Sequence, residues 1–157
     1  MSSSTFEGWR PARPEDDAAV VRLGSALYEE DPSPDPVGSD HFEGTLAAFR
    51  DAPWRGAALV LELGGEVRGY ALLVSFWSNE LGGEVCDIDE LYVAPEARGL
   101  GHGSKLLDAL AAGSTLWPGR AVALALEVTP DNRRARALYE RLGFAGKNVG
   151  LRRRIAR

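Results

Sequence analysis

Cysteine occurs once in this chain, at Cys86, so no internal disulfide can form and a cysteine-rich zinc site is excluded. The residue reads as a small apolar strand position, and no metal is expected. Long hydrophobic runs are also missing. The stretches "YALLVSFW" and "AVALAL" fall far short of the roughly 20 apolar residues that a membrane-spanning helix needs. The N-terminal "MSSSTFEGWR" has neither the basic nor the apolar region of a signal peptide. A cytoplasmic protein with no membrane partner is therefore expected. Compositional bias is absent too: 45% hydrophobic and 26% charged residues exclude disordered and fibrous classes. At 157 residues the chain reads as a single domain over 1–157, large enough to bury a core around a pocket.

What the chain does have is charge asymmetry. Residues 1–95 carry 6 Lys/Arg against 18 Asp/Glu, a net of −12, while residues 96–157 carry 12 against 5, a net of +7. Such a division suits a protein whose one half meets a cation and whose other half meets an anion. Nucleic acid is not expected as a partner, because the basic "LRRRIAR" lacks interleaved aromatics in an otherwise acidic protein.

Periodicity divides the chain into alternating elements. "FEGWRPA" reads as a first strand and "PEDDAAVVRLGSALYEE" as a helix burying Val20, Leu23, Gly24 and Leu27. "DPSPDPVGSD" has too much proline for regular structure, and "DHFEGTLAAFRDA" has Phe42, Leu46 and Phe49 at helical core spacing. "AALVLEL" and "VRGYALLVSFW" flank a glycine turn as a hairpin, and "VCDIDELYVA" is a fourth strand. A helix burying Leu106, Leu107, Leu110 and Ala111 follows, then a buried strand "AVALALEV", a helix "DNRRARALYERLGF" stopped by Gly143, and a closing strand "VGLRRRI". The fold class predicted is α/β, or α+β by stricter usage: a mixed sheet of six or seven strands with helices on both faces.

The segment "ARGLGHGSKLLDAL" places Gly99, Gly101 and Gly103 at the start of an apolar helix. Free backbone amides and the positive end of the helix dipole meet there, which is an anion-binding arrangement; Arg98, Ser104 and Lys105 add donors and charge. The spacing satisfies neither the P-loop nor the dinucleotide fingerprint. Beyond the loop, Asn132 has the position of a helix N-cap, and Tyr139 shares core spacing with Ala135, Leu138 and Leu142.

Together, "ELYVAPEARGLGHGSKLL" and "TPDNRRARALYERLGF" resemble the two signatures of the GNAT N-acetyltransferase superfamily, in the family's order. The resemblance implies acetyl-CoA as cosubstrate and a V-shaped splay between the fourth and fifth strands. The loop of Arg98, Gly99, Leu100, Gly101, His102, Gly103 and Ser104, with Lys105, would cradle the CoA pyrophosphate, His102 through its main chain alone. Leu91, Tyr92 and Val93 would pair with the pantetheine arm, Asn132 would bond the arm or the diphosphate region, and Tyr139 would lie near the sulfur as general acid. It further implies direct attack by a neutral amine. An alkyl amine of pKa about 10.4 costs roughly 4 to 5 kcal/mol to present neutral at pH 7, so a base or a water chain is useful.

Acids for that task cluster in "EVCDIDELYV". Alternation sets Asp87 and Asp89 on one face and Glu90 with Tyr92 on the other, unless a bulge changes the phase. Glu90 acting through water is the first candidate and Asp89 the second; Glu84 reads as a solvated surface acid. The backbone N–H of Tyr92 or Val93 is the expected oxyanion donor. "SFWSNELGGEVCDIDELYV" also resembles spermidine/spermine N-acetyltransferases, with the acidic pair in reversed order as Asp89-Glu90. A small cationic amine is thus the expected substrate. Acetylation of a protein or peptide, and a non-catalytic CoA-binding module, are the alternatives; homodimer formation is a further implication of the family resemblance.

Overall fold

The computed structural model describes residues 8–146 and 150–156. Phe6 and Glu7 of the expected first strand, and Val149 of the expected last one, lie outside those residues. Packing divides the chain into two compact units, one running to Glu127 and the other beginning at Val128.

The first unit holds β1 (Trp9–Pro11), α1 (Asp17–Glu30), α2 (Ser39–Asp51), β2 (Gly56–Leu63), β3 (Glu66–Ser78), β4 (Gly83–Val93), α3 (His102–Ala111) and β5 (Ala121–Leu126). The sheet runs in the order β1-β2-β3-β4-β5. Its first four strands form an antiparallel meander, and β5 lies parallel to β4 because the α3 crossover returns the chain to the same end. This is the mixed α/β architecture the sequence predicts, with five strands among the described residues rather than six or seven. Gly150 to Ala156 carry no regular structure, so the described part of "VGLRRRI" is not a strand. The segment "AVALALEV" ends as a strand at Leu126 and is not buried: Ala121 and Val122 are exposed and the rest is half-buried. Only one of its edges is paired, to β4, among the described residues.

Helical periodicity is realised on both faces. Val20, Leu23 and Gly24 of α1 and Phe42 and Leu46 of α2 are buried with Val60, Tyr70, Leu72, Tyr92 and Ala94 in one core. On the other face α3 buries Leu106, Leu107 and Leu110 beside β4 and β5, whereas Ala111 is exposed where the helix ends. The proline-rich stretch after α1 is irregular from Asp31 to Gly38. No helix among the described residues is long and apolar enough to cross a membrane.

Two interactions fix α1. Gly24 lets α2 approach so closely that a Cβ there would fall on the Phe42 ring. At its last residue, Glu30 accepts the Tyr92 hydroxyl at 2.9 Å and the Arg98 guanidinium at 2.9 and 3.1 Å, while Arg98 also donates its Nε–H to the Val93 carbonyl at 2.7 Å and lies over the Tyr92 ring. The Tyr92 hydroxyl first, and the Arg98 guanidinium second, hold the Glu30 carboxyl below the ordinary carboxylate range.

Gly24→Ala is expected to destabilise the protein by about 1 to 3 kcal/mol in urea unfolding, because overpacking outweighs the roughly 1 kcal/mol that alanine adds to a helix. A stability equal to or above wild type would show that Phe42 yields freely. Glu30→Gln is expected to cost less than about 1 kcal/mol at pH 7, since the pair is solvent-exposed. A carboxyl whose pKa is lowered by folding stabilises above its unfolded value and loses that contribution as pH falls through its folded value. The cost of Glu30→Gln should therefore shrink as pH falls below the ordinary carboxylate range, which unfolding curves at pH 7 and through the acid range would check.

Candidate functional site

The site begins with a mismatch in strand length. β4 pairs with β3 along its whole length to Val93, but its parallel pairing with β5 stops at Ile88 opposite Leu126. From Asp89 to Val93 the edge of β4 that faced β5 has no strand beside it among the described residues. This is the splay expected between the fourth and fifth strands. Backbone N–H and C=O groups on such an edge require partners, and an extended ligand can supply them.

A β-bulge sits at the point of divergence. Leu72 faces Glu90 and Leu73 faces Ile88, so Asp89 is the extra residue. Uninterrupted alternation predicts opposite faces for Asp87 and Glu90. The bulge shifts the phase by one: Asp87 lies opposite Val74 and Glu90 opposite Leu72, two residues apart on β3 and hence on one face. Asp89 itself is exposed.

Glu90 is the most constrained of these acids. Its Oε2 accepts the Tyr28 hydroxyl at 2.6 Å and its Oε1 accepts the Tyr70 hydroxyl at 2.7 Å. Burial raises the Glu90 carboxyl above its ordinary range; the two hydroxyls oppose that shift and Asp89 adds to it. Burial also raises Asp87, with contributions from Asp89 and from Glu127, which follows β5. Four carboxylates therefore interact around the mouth of the splay: Asp87, Asp89, Glu90 and Glu127. Glu84 is not a free surface acid, because it is half-buried and accepts the Ser75 hydroxyl at 2.8 Å.

The glycine segment links β4 to α3. Helix α3 already begins at His102, so Gly103, Ser104 and Lys105 occupy its first turn rather than a preceding loop. Its first intrahelical bond runs from the Lys105 N–H to the Gly101 carbonyl at 3.0 Å, so the amides of Gly101, His102, Gly103 and Ser104 lie ahead of the helical ladder. Gly99 and Gly101 have φ of +81° and +79°, a conformation that disfavours any side chain. A Cβ at Gly99 would meet nothing within 4 Å, one at Gly101 only the Lys105 Cε at 3.9 Å, and one at Gly103 only the Leu91 Cδ2 at 3.8 Å. A clear concave backbone with unpaired amides fits a diphosphate. Leu100 is exposed, and the Trp9 indole N–H donates to the His102 carbonyl at 2.9 Å, tying β1 to this turn. Arg98 lies at the start of this segment with its side chain turned toward the end of α1. Its guanidinium is engaged by Glu30 and by the Val93 carbonyl.

In the second unit, Asn132 caps α4 (Arg133–Arg141), its Oδ1 accepting the Ala135 N–H at 3.1 Å. The capping role is thus realised. Tyr139 is half-buried, packs edge-on against Phe144, and has its phenol held above its usual pKa by burial alone. It is a proton donor, not a base, at neutral pH. Gly143, with φ of +92°, ends the segment as predicted.

Tyr28, Tyr70 and Glu30 belong to the site's structure and were not singled out by sequence. Each acts across a long separation: 62 residues for Tyr28–Glu90 and Glu30–Tyr92, and 20 for Tyr70–Glu90. Their only local signal is a polar group inside an apolar pattern.

Comparison with known proteins agrees with this geometry. The family model described as "Acetyltransferase (GNAT) family" matches residues 24–144. The uncharacterized N-acetyltransferase YhfO of Bacillus subtilis (strain 168) is 34% identical over 86 residues, which are 55% of this chain and 56% of that protein, so the match spans little more than half of that relative. An integron cassette protein from the mobile metagenome of Cole Harbour Salt Marsh is 28% identical, with 97% of this chain and 93% of that chain covered at a TM-score of 0.76. A ribosomal-protein-alanine N-acetyltransferase from Brucella melitensis biovar Abortus 2308 shares the fold at 18% identity, with 94% and 98% covered and a TM-score of 0.71. With the family model covering most of its length and the splayed sheet and glycine turn in place, the chain belongs to the GNAT acetyltransferase family.

Proposed function

We propose that this protein acetylates the primary amine of a small cationic molecule, with acetyl-CoA as cosubstrate, by direct attack of the amine on the thioester. The observation that carries this reading is the open edge of β4 from Asp89 to Val93, which carries the half-buried Glu90 carboxylate and is followed by the glycine turn of α3. Acetyl-CoA supplies a thioester-activated acetyl group and a thiol that departs. The amides of Gly101 to Ser104 hold its diphosphate, and the Leu91 to Val93 edge holds the amides of its extended arm, with the Tyr92 or Val93 N–H toward the thioester oxygen. Glu90 takes the proton of the incoming ammonium through water. A carboxyl raised by burial is a better match for that task than a solvated one at pKa about 4.3. By the family resemblance, Tyr139 of the second unit is the donor to the departing thiolate, and burial keeps its phenol protonated.

The acids Asp87, Asp89 and Glu127 support a cationic substrate, as does the net charge of −12 over residues 1–95. They favour capture over chemistry, because a nearby carboxylate stabilises the protonated amine. This leaves deprotonation to Glu90. A polyamine or an aminoglycoside has the required charge.

Thiol release from acetyl-CoA over a panel of polyamines, aminoglycosides and peptides tests the reading. Turnover on the cationic small molecules is the expected result. Activity confined to peptides would replace it with protein acetylation, and acetyl-CoA binding without turnover on any amine would make the protein a binding module. Glu90→Gln is expected to lower kcat/KM by about 10²-fold or more while leaving acetyl-CoA affinity unchanged in calorimetry. Tyr139→Phe should lower kcat far more than it weakens acetyl-CoA binding; unchanged turnover would remove the tyrosine from the reaction.

A further inference from the structure

Glu90 is held in an unusual way. Each of its carboxylate oxygens accepts one tyrosine hydroxyl, at 2.6 Å from Tyr28 of α1 and 2.7 Å from Tyr70 of β3, both within the range of strong O–H···O⁻ bonds. The rings have little freedom to move. Tyr70 is fully buried, lies edge-on to Phe42 with centroids 6.4 Å apart, and sits 6.4 Å from the Tyr92 ring; Tyr28 also packs edge-on against Phe42, at 6.1 Å. The two donors thus approach from two different elements, locked by the same aromatic residue of α2.

Their effect on Glu90 is opposite to that of everything else around it. Burial and the neighbouring Asp89 both disfavour its charge, and Asp87 lies on the same face of β4. From α2, the Phe42 ring packs against both tyrosines. Glu30, also on α1, is occupied by Tyr92 and Arg98. Burial and the Glu90 charge in turn raise Tyr70, which stays a donor over the whole working range. A buried glutamic acid that has kept its proton cannot accept another.

We propose that Tyr28 and Tyr70 are positioning residues that keep the Glu90 carboxyl ionised in its half-buried seat and direct its remaining lone pairs toward the open edge of β4. A carboxylate has about four acceptor sites, of which the tyrosines fill two, so a water can still be held. Because Tyr28 lies in the last turn of α1, just before the irregular Asp31 to Gly38 segment, the ionisation of Glu90 depends on how that helix end is seated. This inference deepens the reading of Glu90 as the base and rests on it.

The test is a carbon-13 NMR titration of the glutamate side-chain carboxyls in wild type, Tyr28→Phe and Tyr70→Phe, with Glu90 assigned from Glu90→Gln. A pH profile of kcat/KM on the best amine of the panel accompanies it. Each phenylalanine variant should move the Glu90 midpoint upward by about one pH unit, the size of one lost hydrogen bond to a charged group. The acid limb of kcat/KM should move with it, activity should recover at high pH, and KM for acetyl-CoA should hold. A Glu90 midpoint unmoved in folded Tyr28→Phe overturns the proposal, even if Tyr70→Phe fails to fold. The underlying reading fails separately: if Glu90→Gln keeps the wild-type pH profile, Glu90 is not the base, whereas loss of the acid limb in Glu90→Gln with an unmoved midpoint in Tyr28→Phe removes only the tyrosine clamp.

Discussion

β4 is held along its full length on one side and along only half of it on the other. The β3 ladder fixes the strand to Val93, and the β5 ladder stops at Ile88. Backbone amides and carbonyls rarely stay unpaired once shielded from water, so the free half of β4 is stable only while solvent or an extended ligand completes it. Most of what distinguishes this site follows from that imbalance. The bulge at Asp89 lies at the divergence, turns Glu90 to the face covered by α1 and α2, and leaves Asp89 outward. The glycine turn follows the open half directly, so the amides ahead of α3 come next along the same stretch of chain.

On the inner face, charge is managed by tyrosine. The final turn of α1 meets β4 through two reciprocal pairs, Tyr28 donating to Glu90 and Tyr92 donating to Glu30. Each pair sets one acid against one phenol, and the two acids end in opposite electrostatic conditions. Glu30 is exposed, and the Tyr92 hydroxyl with Arg98 lowers its pKa; Glu90 is half-buried, and its desolvation, with Asp89 nearby, raises it. Arg98 then connects this helix end to the Val93 carbonyl, at the end of the open strand. Arg98 thus braces the end of β4 against the end of α1, just ahead of the glycine turn.

Much of this was legible in the residues. The core faces of α1 and α2, the hairpin, the fourth strand, the glycine turn and the Gly143 stop all follow from local spacing and φ preference, which act within a few residues and need no partner. The family signature in "ARGLGHGSKLL" has the same character, because a positive-φ glycine ahead of an apolar helix is a local demand of the backbone. Where local rules were read too far, pairing corrected them: the half-exposed β5 has one paired edge, and Ala111 lies at a helix end beyond its neighbours.

The sequence by itself determined most of the elements, that a glycine turn opening a helix follows the fourth strand, and that acids gather ahead of it. Tertiary structure decided which of those acids does what. The phase of Asp87 against Glu90 depends on one extra residue in a ladder with β3, which alternation within β4 cannot reveal. The ionisation of Glu90 depends on Tyr28, 62 residues away, and the occupation of Arg98 on Glu30, 68 residues away. Secondary structure is set by interactions along the chain; pKa and charge pairing are set by whatever folding brings within about 3 Å.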